Sequence, residues 1–237
     1  MQVKPGIYRI QSVNQVMYAL DCGGAYVLVD CGDEKELDNK LAALRGDGIN
    51  PEDLAAVLVT HFHWDHCGAL AKLREAACLK VVTHRHSVEP LTHTEPLDRS
   101  LVDYTVDDGD IIEVGKLRFT VHHLPGHTHD SVVYQTGQEL FIGDITFEWG
   151  GIGWMDVHWG SCVAQYKESL NRLLGLRPAT LYPGHGGVCA LSEYSISHAL
   201  TNLDILEKVD GSPIMMGTPA PLRPATEARE VVRIGSA

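Results

Sequence analysis

The amino-acid sequence predicts an α/β (α+β) fold in which short strands alternate with amphipathic helices. Three β-rich runs near the start, separated by polar or glycine turns, predict an antiparallel meander over residues 7–10, 16–20 and 25–29. Residues 34–45 then place leucines at helical spacing, which predicts an amphipathic helix. The second half of the chain repeats the strand-then-helix alternation. We therefore expect one large layered domain.

The other elements follow from local patterns, taken in chain order. Asn50-Pro51 matches a helix N-cap with proline at the first helical position. The apolar run 56–59 is a predicted strand, and residues 68–77 are a predicted helix that begins beside the segment after this strand. Further predicted strands cover residues 79–83, 117–121, 139–142 and 180–182. The clearest predicted helices cover residues 162–174 and 192–209.

The distribution of Ser, Gly and Pro along the chain indicates the domain boundary. The chain has 237 residues, and no linker rich in Ser, Gly or Pro divides it before residue 210. We expect a single domain over residues 1–210. Residues 211–237 are expected to form a Pro-rich C-terminal tail, extended or partly ordered, because they contain Pro213, Pro219, Pro221 and Pro224.

Composition and charge exclude several classes of protein. A formal net charge of -12 argues against nucleic-acid binding, which draws most of its affinity from basic residues. No long apolar segment follows Met1, and no stretch approaches the ~20 apolar residues of a membrane span. The six cysteines include no CxxC pair, which is typical of reduced thiols. We expect a cytoplasmic protein without a nucleic-acid or membrane partner. Its oligomeric state stays open, with a homodimer as one option.

The most informative segment is Thr60-His61-Phe62-His63-Trp64-Asp65-His66-Cys67-Gly68, directly after a predicted strand. It places three histidines and one aspartate within six positions. Imidazole and carboxylate are the ligands that Zn²⁺, Fe and Mn accept in proteins. A loop in this position can aim His61 and His63 at one metal ion while Asp65 and His66 face another.

Three further candidate ligands follow predicted strands and sit beside glycine. They are His127 in Pro125-Gly126-His127, Asp144 in Gly143-Asp144, and His185 in Pro183-Gly184-His185-Gly186. Glycine lets a backbone and its neighbouring side chain approach an ion closely. Taken singly, a histidine or aspartate at a strand end is more often a cap or a hydrogen-bonded polar residue. Seven such residues in this context favour one shared metal site.

These segments together resemble the metallo-β-lactamase superfamily, over residues 3–200. Val29-Asp30-Cys31-Gly32 and Asp107-Asp108-Gly109-Asp110 match connecting motifs of that family. The resemblance implies its four-layer αβ/βα sandwich. It also implies that His61, His63 and His127 hold metal 1, that Asp65, His66 and His185 hold metal 2, and that Asp144 bridges them. Asp30 would support the ligand loop by hydrogen bonding.

The implied activity is that of a dinuclear metal-dependent hydrolase. Two divalent metal ions, Zn²⁺ by expectation with Fe or Mn as alternatives, would hold a bridging hydroxide that attacks a carbonyl of an ester, lactone, thioester or amide. Asp65 and Asp144 are the predicted catalytic residues. One alternative is a mononuclear iron oxygenase of the persulfide dioxygenase type. Another is a sensor or binding protein that retains a metal but has little activity.

The substrate, a small molecule, is expected to contact the loop that follows Asp144. The candidate contacts are Phe147, Trp149, Trp154, His158 and Trp159, with Glu148 and Asp156 as further polar candidates. The alternative is that the tryptophans cover the core. His129 is a candidate hydrogen-bond partner or proton-transfer group beside His127, whereas His84 and His86 are interpreted as surface residues.

Departures from named subfamilies narrow the substrate class. An aspartate at position 144 disfavours a dedicated β-lactamase. Gly151-Ile152-Gly153-Trp154 stands where glyoxalase II and the persulfide dioxygenases carry a Gly-Cys-Gly stretch and a basic residue, which puts a glutathione substrate in doubt. No Lys or Arg lies between Glu139 and Gln165. We expect a small carbonyl compound that is uncharged or weakly charged.

Overall fold

Two β-sheets form the centre of the computed structural model, which describes residues 1–13, 15–88, 97–157, 160–177, 180–208 and 229–235. The strands of the first sheet lie side by side in sequence order: β1 (Gln2–Lys4), β2 (Ile7–Gln11), β3 (Val16–Asp21), β4 (Tyr26–Val29), β5 (Leu54–Leu58), β6 (Lys80–His84) and β7 (Tyr104–Val106). Strands β1 to β4 pair antiparallel, which confirms the predicted meander. Strands β4 to β7 pair parallel.

The second sheet has the spatial order β12-β11-β10-β9-β8-β13. Its strands are β8 (Ile111–Val114), β9 (Leu117–His123), β10 (Val132–Thr136), β11 (Glu139–Gly143), β12 (Thr180–Pro183) and β13 (Val231–Ile234). Strands β8 to β11 form an antiparallel meander, and β12 pairs parallel to β11. A parallel neighbour requires a crossover connection, which the helix after β11 supplies.

Within the described residues, five α-helices flank the two sheets. They are α1 (Leu37–Gly46), α2 (Trp64–Cys67), α3 (Leu70–Ala76), α4 (Val163–Gly175) and α5 (Glu193–Lys208). Leucines of α1 and α3 pack on the first sheet, and those of α4 and α5 pack on the second. The predicted four-layer αβ/βα sandwich is confirmed. No helix within the described ranges is long and apolar enough to cross a lipid bilayer.

Aromatic side chains fill the space between the sheets near the edge that carries the site. The Tyr18 ring lies 5.4 Å from those of both Phe141 and Tyr182, so one side chain of the first sheet packs edge-on against two of the second. The Tyr18 hydroxyl donates to the carbonyl oxygen of Pro183 at 2.8 Å. This contact holds the end of β12 against the first sheet, two residues before His185.

The end of the chain corrects the predicted boundary at residue 210. Residues 231–234 form β13, which pairs parallel with β8 and places Val232 and Ile234 in the core between the sheets. The backbone N–H of Glu230 also donates to Asp110 Oδ1 at 2.8 Å. A four-residue strand is too short for its alternation to stand out in a sequence. The domain therefore includes this strand, while most of the predicted tail, residues 211–228, lies outside the described residues.

Candidate metal centre

The loop after β5 carries the first four candidate ligands. It turns at His63, whose backbone is extended with φ and ψ of -60° and 141°, immediately before the one-turn helix α2. The backbone N–H groups of Cys31 and Gly32 donate to the carbonyl oxygen of His66 at 2.8 and 3.1 Å. These two bonds tie the loop to the end of β4 and fix the direction of its side chains.

The other three candidate ligands come from strand ends at the same edge of the sandwich. His127 follows β9, Asp144 follows β11 directly, and His185 follows β12. Gly184 allows close approach here, because a Cβ atom at this position would lie 2.6 Å from Asp144 Oδ1 and would overlap the His66 ring. A larger residue at 184 would push the candidate ligands apart.

His61, His63 and His127 form the first group of candidate ligands. The Nε2 atom of His127 lies 3.2 Å from Nε2 of His61 and 2.9 Å from Nδ1 of His63. His61 and His127 are buried and His63 is partly exposed. Three ring nitrogens thus converge on one point.

Asp65, His66 and His185 form the second group, and Asp144 lies between the two. The Nε2 atom of His185 is 3.2 Å from Asp65 Oδ2 and 3.2 Å from Asp144 Oδ2. The same Asp144 oxygen is 3.7 Å from His127 Nε2 in the first group. The other Asp144 oxygen is 3.4 Å from His66 Nε2. The structure therefore brings together all seven predicted ligands.

The imidazoles of the loop and of His127 are held through the nitrogen that faces away from the centre. Nδ1 of His61 lies 3.0 Å from Thr60 Oγ1, which itself donates to Asp30 Oδ2 at 2.9 Å and so can only accept from the ring. His127 Nδ1 is hydrogen-bonded to the carbonyl oxygen of Trp154. A carbonyl only accepts, so this nitrogen carries the proton.

Carboxylates hold the other two loop histidines. His66 Nδ1 lies 2.8 Å from Asp30 Oδ2, and His63 Nε2 lies 3.3 Å from Asp156 Oδ2. Asp30 is buried and also accepts from the backbone N–H of Thr60 at 2.8 Å. These are the hydrogen bonds that the prediction for Asp30 requires. Such partners orient a metal-binding histidine and select its tautomer.

The resulting tautomers leave bare lone pairs facing the centre. Three ring nitrogens lie within hydrogen-bonding distance of one another, but none of them carries a hydrogen atom that it could donate. They are Nε2 of His61, Nδ1 of His63 and Nε2 of His127. His66 Nε2 and Asp144 Oδ1 are buried, face each other at 3.4 Å and have no other hydrogen-bond partner. Converging lone pairs repel one another, and a divalent cation between them turns repulsion into attraction. The donor set fits a metal centre.

The candidate ligands shift each other's pKa. Burial lowers the pKa of His127 to about 4, which keeps its ring neutral and ready to bind a cation. Burial acts in the same direction on His185, but hydrogen bonds to Asp144 and Asp65 outweigh it and raise the pKa of His185 to about 9. Burial raises the pKa of Asp144, yet the charge of His66 and the hydrogen bond from His185 hold it well below its usual value. A metal ion would therefore displace a proton from His185.

The loop after Asp144 has aromatic side chains on its outer surface. Trp149 and Trp154 are 74% and 88% exposed, so the alternative that these two rings cover the core is wrong. The Phe147 ring lies 6.0 Å from the ring of His185. His158 and Trp159, the remaining predicted substrate contacts, lie outside the described residues.

Four further histidines collect at a second position. They are His84, His86, His123 and His129, which we call the second histidine cluster. His84 is 1% exposed and its ring stacks on His123 at 4.1 Å, so the interpretation of His84 as a surface residue is wrong. The ring of His129 lies 4.4 Å from that of His86, which places it in this cluster.

Sequence reasoning missed Thr60 and assigned Asp156 to the substrate, although both hydrogen-bond candidate ligands. The position of Thr60 could have been recognised, because a hydroxyl side chain stands between a predicted strand and the first candidate ligand. The sequence gives no indication that Asp156 contacts His63, because the two lie 93 residues apart.

A profile of the metallo-β-lactamase superfamily matches residues 12–185. The chain belongs to the metallo-β-lactamase superfamily. One superfamily relative, the Beta-lactamase-like protein 2 homolog of Drosophila melanogaster, is 30% identical over 206 residues, which cover 82% of this chain and 66% of the relative. Another is a hydroxyacylglutathione hydrolase of Bdellovibrio bacteriovorus, 33% identical over 190 residues that cover 79% of this chain and 66% of the relative. The chain thus spans just under two thirds of the length of either relative.

Solved structures of the superfamily agree with the fold. ETHE1 from Myxococcus xanthus is 25% identical with a TM-score of 0.67, covering 84% of this chain and 90% of that one. A subclass B3 metallo-β-lactamase of Bradyrhizobium japonicum is 17% identical with a TM-score of 0.70, covering 88% of this chain and 92% of that one. At 17% identity, the similarity to the Bradyrhizobium japonicum enzyme supports the fold alone.

Proposed function

We propose that this chain is a metal-dependent hydrolase of small carbonyl compounds. The observation that carries the proposal is the convergence of the seven candidate ligands, with the Asp144 carboxylate between two groups of three. Relatives named hydroxyacylglutathione hydrolase support hydrolysis as the reaction class.

The two groups would each hold one divalent cation. His61, His63 and His127 would hold the first, Asp65, His66 and His185 would hold the second, and Asp144 would contact both. We expect Zn²⁺, with Fe or Mn as alternatives, because the ligands are imidazoles and carboxylates without a thiolate. When bound, two such ions supply a nucleophilic water at neutral pH and polarise a carbonyl oxygen.

The protein's own groups would provide charge balance and proton transfer. Asp144 and Asp65 contribute two negative charges to the centre, and Asp65 is partly exposed at its mouth. We assign Asp65 as the group that accepts a proton from the attacking water through a carboxylate oxygen. No thiol competes for this role within the loop, since Cys67 Sγ donates to the carbonyl oxygen of Phe62 at 2.9 Å.

The substrate class includes esters, lactones, thioesters and amides. The hydroxyacylglutathione hydrolase relatives favour a thioester. The absence of Lys and Arg between Glu139 and Gln165 disfavours an anion beside Trp154.

None of the six cysteines forms a disulfide, which supports a reducing, cytoplasmic location.

Structural similarity to ETHE1 supports a second candidate function, a mononuclear iron oxygenase of the persulfide dioxygenase type. The two candidates differ in the number of metal ions and in the need for oxygen. Hydrolysis requires no oxygen, and the dinuclear site requires both groups of ligands.

Metal content and turnover of His185→Ala test the proposal. Wild-type protein prepared with excess Zn²⁺ or Mn²⁺ should bind about two equivalents by elemental analysis. His185→Ala should bind about one and lose on the order of 100-fold in kcat/KM on a panel of esters, lactones and thioesters. The control is His122→Ala, because His122 bonds Gln135 outside the centre. One equivalent with full wild-type activity would reject the dinuclear site, and oxygen consumption with iron would favour the oxygenase.

A further inference from the structure

A groove of about 210 Å³ opens beside the candidate metal centre. We call it the aromatic groove. Its chemically distinctive lining residues are Phe147, Glu148, Trp149, Cys189, Ser192 and Tyr194. Phe147 connects the groove to the centre, because its ring lies 6.0 Å from the ring of the candidate ligand His185. A substrate with its carbonyl at the metals can therefore extend into this groove.

The backbone of the groove is strained in a way that keeps one tryptophan in solvent. Trp149 has φ of 69°, a left-handed conformation that residues other than Gly, Asn and Asp rarely adopt. The next residue, Gly150, packs so closely on α5 that a Cβ atom would lie 2.8 Å from the Cβ of His198. Trp149 is nevertheless 74% exposed, so burial of the ring does not offset the strain. Backbone strain that is not offset by burial of the side chain is typical of binding sites.

A second exposed ring, that of Tyr194, borders the same groove. Tyr194 is 72% exposed and lies in the first turn of α5, opposite the loop that carries Phe147 and Trp149. The groove thus offers three aromatic side chains from two separate segments. Aromatic faces carry partial negative charge and attract cations that lie over them.

Among the described residues that line the groove, the one acidic side chain is Glu148, and neither Lys nor Arg is present. Burial raises the pKa of the Cys189 thiol, and the charge of Glu148 adds to this effect, so the thiol stays neutral. The carboxylate of Glu148 reaches toward Gly187, where a Cβ atom would lie 3.3 Å from Oε2.

The N-terminus of α5 also borders the groove, and its helix dipole would favour an anion. This end is already capped, because the N–H of Ser195 donates to Ser192 Oγ at 3.0 Å and the N–H of Ile196 donates to the Ser192 carbonyl at 3.2 Å. Glu193 adds a negative charge to the first turn. The dipole is therefore offset, and the net character of the groove is that of a cation site.

We propose that the aromatic groove binds a cationic group of the substrate, a primary or quaternary ammonium. This inference rests on the proposed hydrolase function, and it replaces the expectation of an uncharged or weakly charged substrate with a cationic one. The ammonium would lie among Phe147, Trp149 and Tyr194 with Glu148 as its counter-ion. The scissile carbonyl would lie toward His185.

Matched substrates with Zn²⁺-loaded protein test the proposal. The cationic substrate is a 2-(trimethylammonio)ethyl thioester, and the neutral one is its 3,3-dimethylbutyl isostere with the same acyl group. We expect kcat/KM to be about tenfold higher for the cationic thioester, given the strength of cation–π contacts. Glu148→Gln should lower this ratio about fivefold. Glu75→Gln is the control, because it makes the same change of charge on the exposed surface of α3, outside the lining, and should keep the wild-type ratio.

A binding measurement separates failure of this inference from failure of the hydrolase proposal. Choline and its neutral isostere 3,3-dimethylbutan-1-ol are titrated into Zn²⁺-loaded protein, with tryptophan fluorescence as the signal. Choline should bind about tenfold more tightly, and Trp149→Phe should remove most of the fluorescence change. Equal binding of the two probes, an equal ratio in Glu148→Gln, or a preference for a 3-carboxypropyl thioester would overturn the cation site. Tight choline binding without thioester turnover would support the groove and reject the hydrolase.

Discussion

The seven candidate ligands and the second histidine cluster are both collections of imidazoles at strand ends, yet their chemistry differs. In the first, four aspartates contact the rings: Asp30, Asp65, Asp144 and Asp156. In the second, His84 Nε2 lies 3.7 Å from Asp107 Oδ1. Asp107 is also paired with Arg85, so its charge is already offset.

The pKa values follow this difference in carboxylates. In the candidate centre, hydrogen bonds to Asp144 and Asp65 outweigh burial at His185 and raise its pKa to about 9, whereas burial keeps the pKa of His127 at about 4. In the second cluster burial dominates, and it lowers the pKa of His123 to about 4 and that of His129 to about 3. Stacked neutral rings can pack as polar core residues, whereas rings among carboxylates attract a cation. We infer that the supply of carboxylates decides which histidine cluster suits a cation.

The largest expected difference is in kcat/KM, between variants that each lack one carboxylate from one of the two clusters. Asp144→Asn should lower kcat/KM by about 1000-fold or more, because an amide cannot neutralise two cations. Asp107→Asn should change it less than about twofold, because Asp107 contacts His84 and Arg85 in the second histidine cluster. Turnover and metal content of both variants are measured after circular dichroism confirms the fold. Wild-type turnover in Asp144→Asn would contradict the bridging role.

The second cluster is expected to make the metal-free protein sensitive to acid. The fold holds the pKa of His123 at about 4, below the ordinary 6.5, so the neutral ring stabilises the folded state above pH 6.5. This stability is lost as pH falls from 6.5 through 4, on the order of 2 to 3 kcal/mol. His123→Gln should therefore show a smaller fall in the free energy of unfolding over this range, by urea denaturation.

His198→Gln is the control for that measurement, because His198 is exposed on α5. An unchanged pH dependence in His123→Gln would mean that the ring is protonated in the folded protein. The comparison between the two clusters would then fail.

The smallest expected effect concerns the support behind the candidate ligands. Asp30→Asn should weaken metal binding by about 10- to 100-fold, because the amide holds the His66 ring less firmly and the tautomer is less well defined. Competition with a chromophoric chelator measures the affinity, and the fold should persist. Asp98→Asn is a matched control, since Asp98 caps a 3₁₀ turn at an exposed site. Equal metal affinity in the two variants would show that Asp30 has only a structural role.

Most of the fold and all seven candidate ligands could be predicted from the sequence. Strand and helix periodicity, the N-cap at Asn50 and the glycines beside strand ends are local features, and local chemistry is what a sequence displays. The order of the ligand segments resembles that of the metallo-β-lactamase superfamily. This resemblance predicts which candidate ligands belong to each of the two groups.

The tertiary structure decided which groups hold those ligands in place. The carbonyl of Trp154 bonds His127, and a backbone carbonyl has no sequence signature. Strand β13 joins the second sheet by pairing with β8, more than one hundred residues earlier in the chain. The aromatic groove likewise unites the loop after Asp144 with the start of α5. Such contacts depend on which segments the folded sandwich brings together, so residue types and spacing alone leave them open.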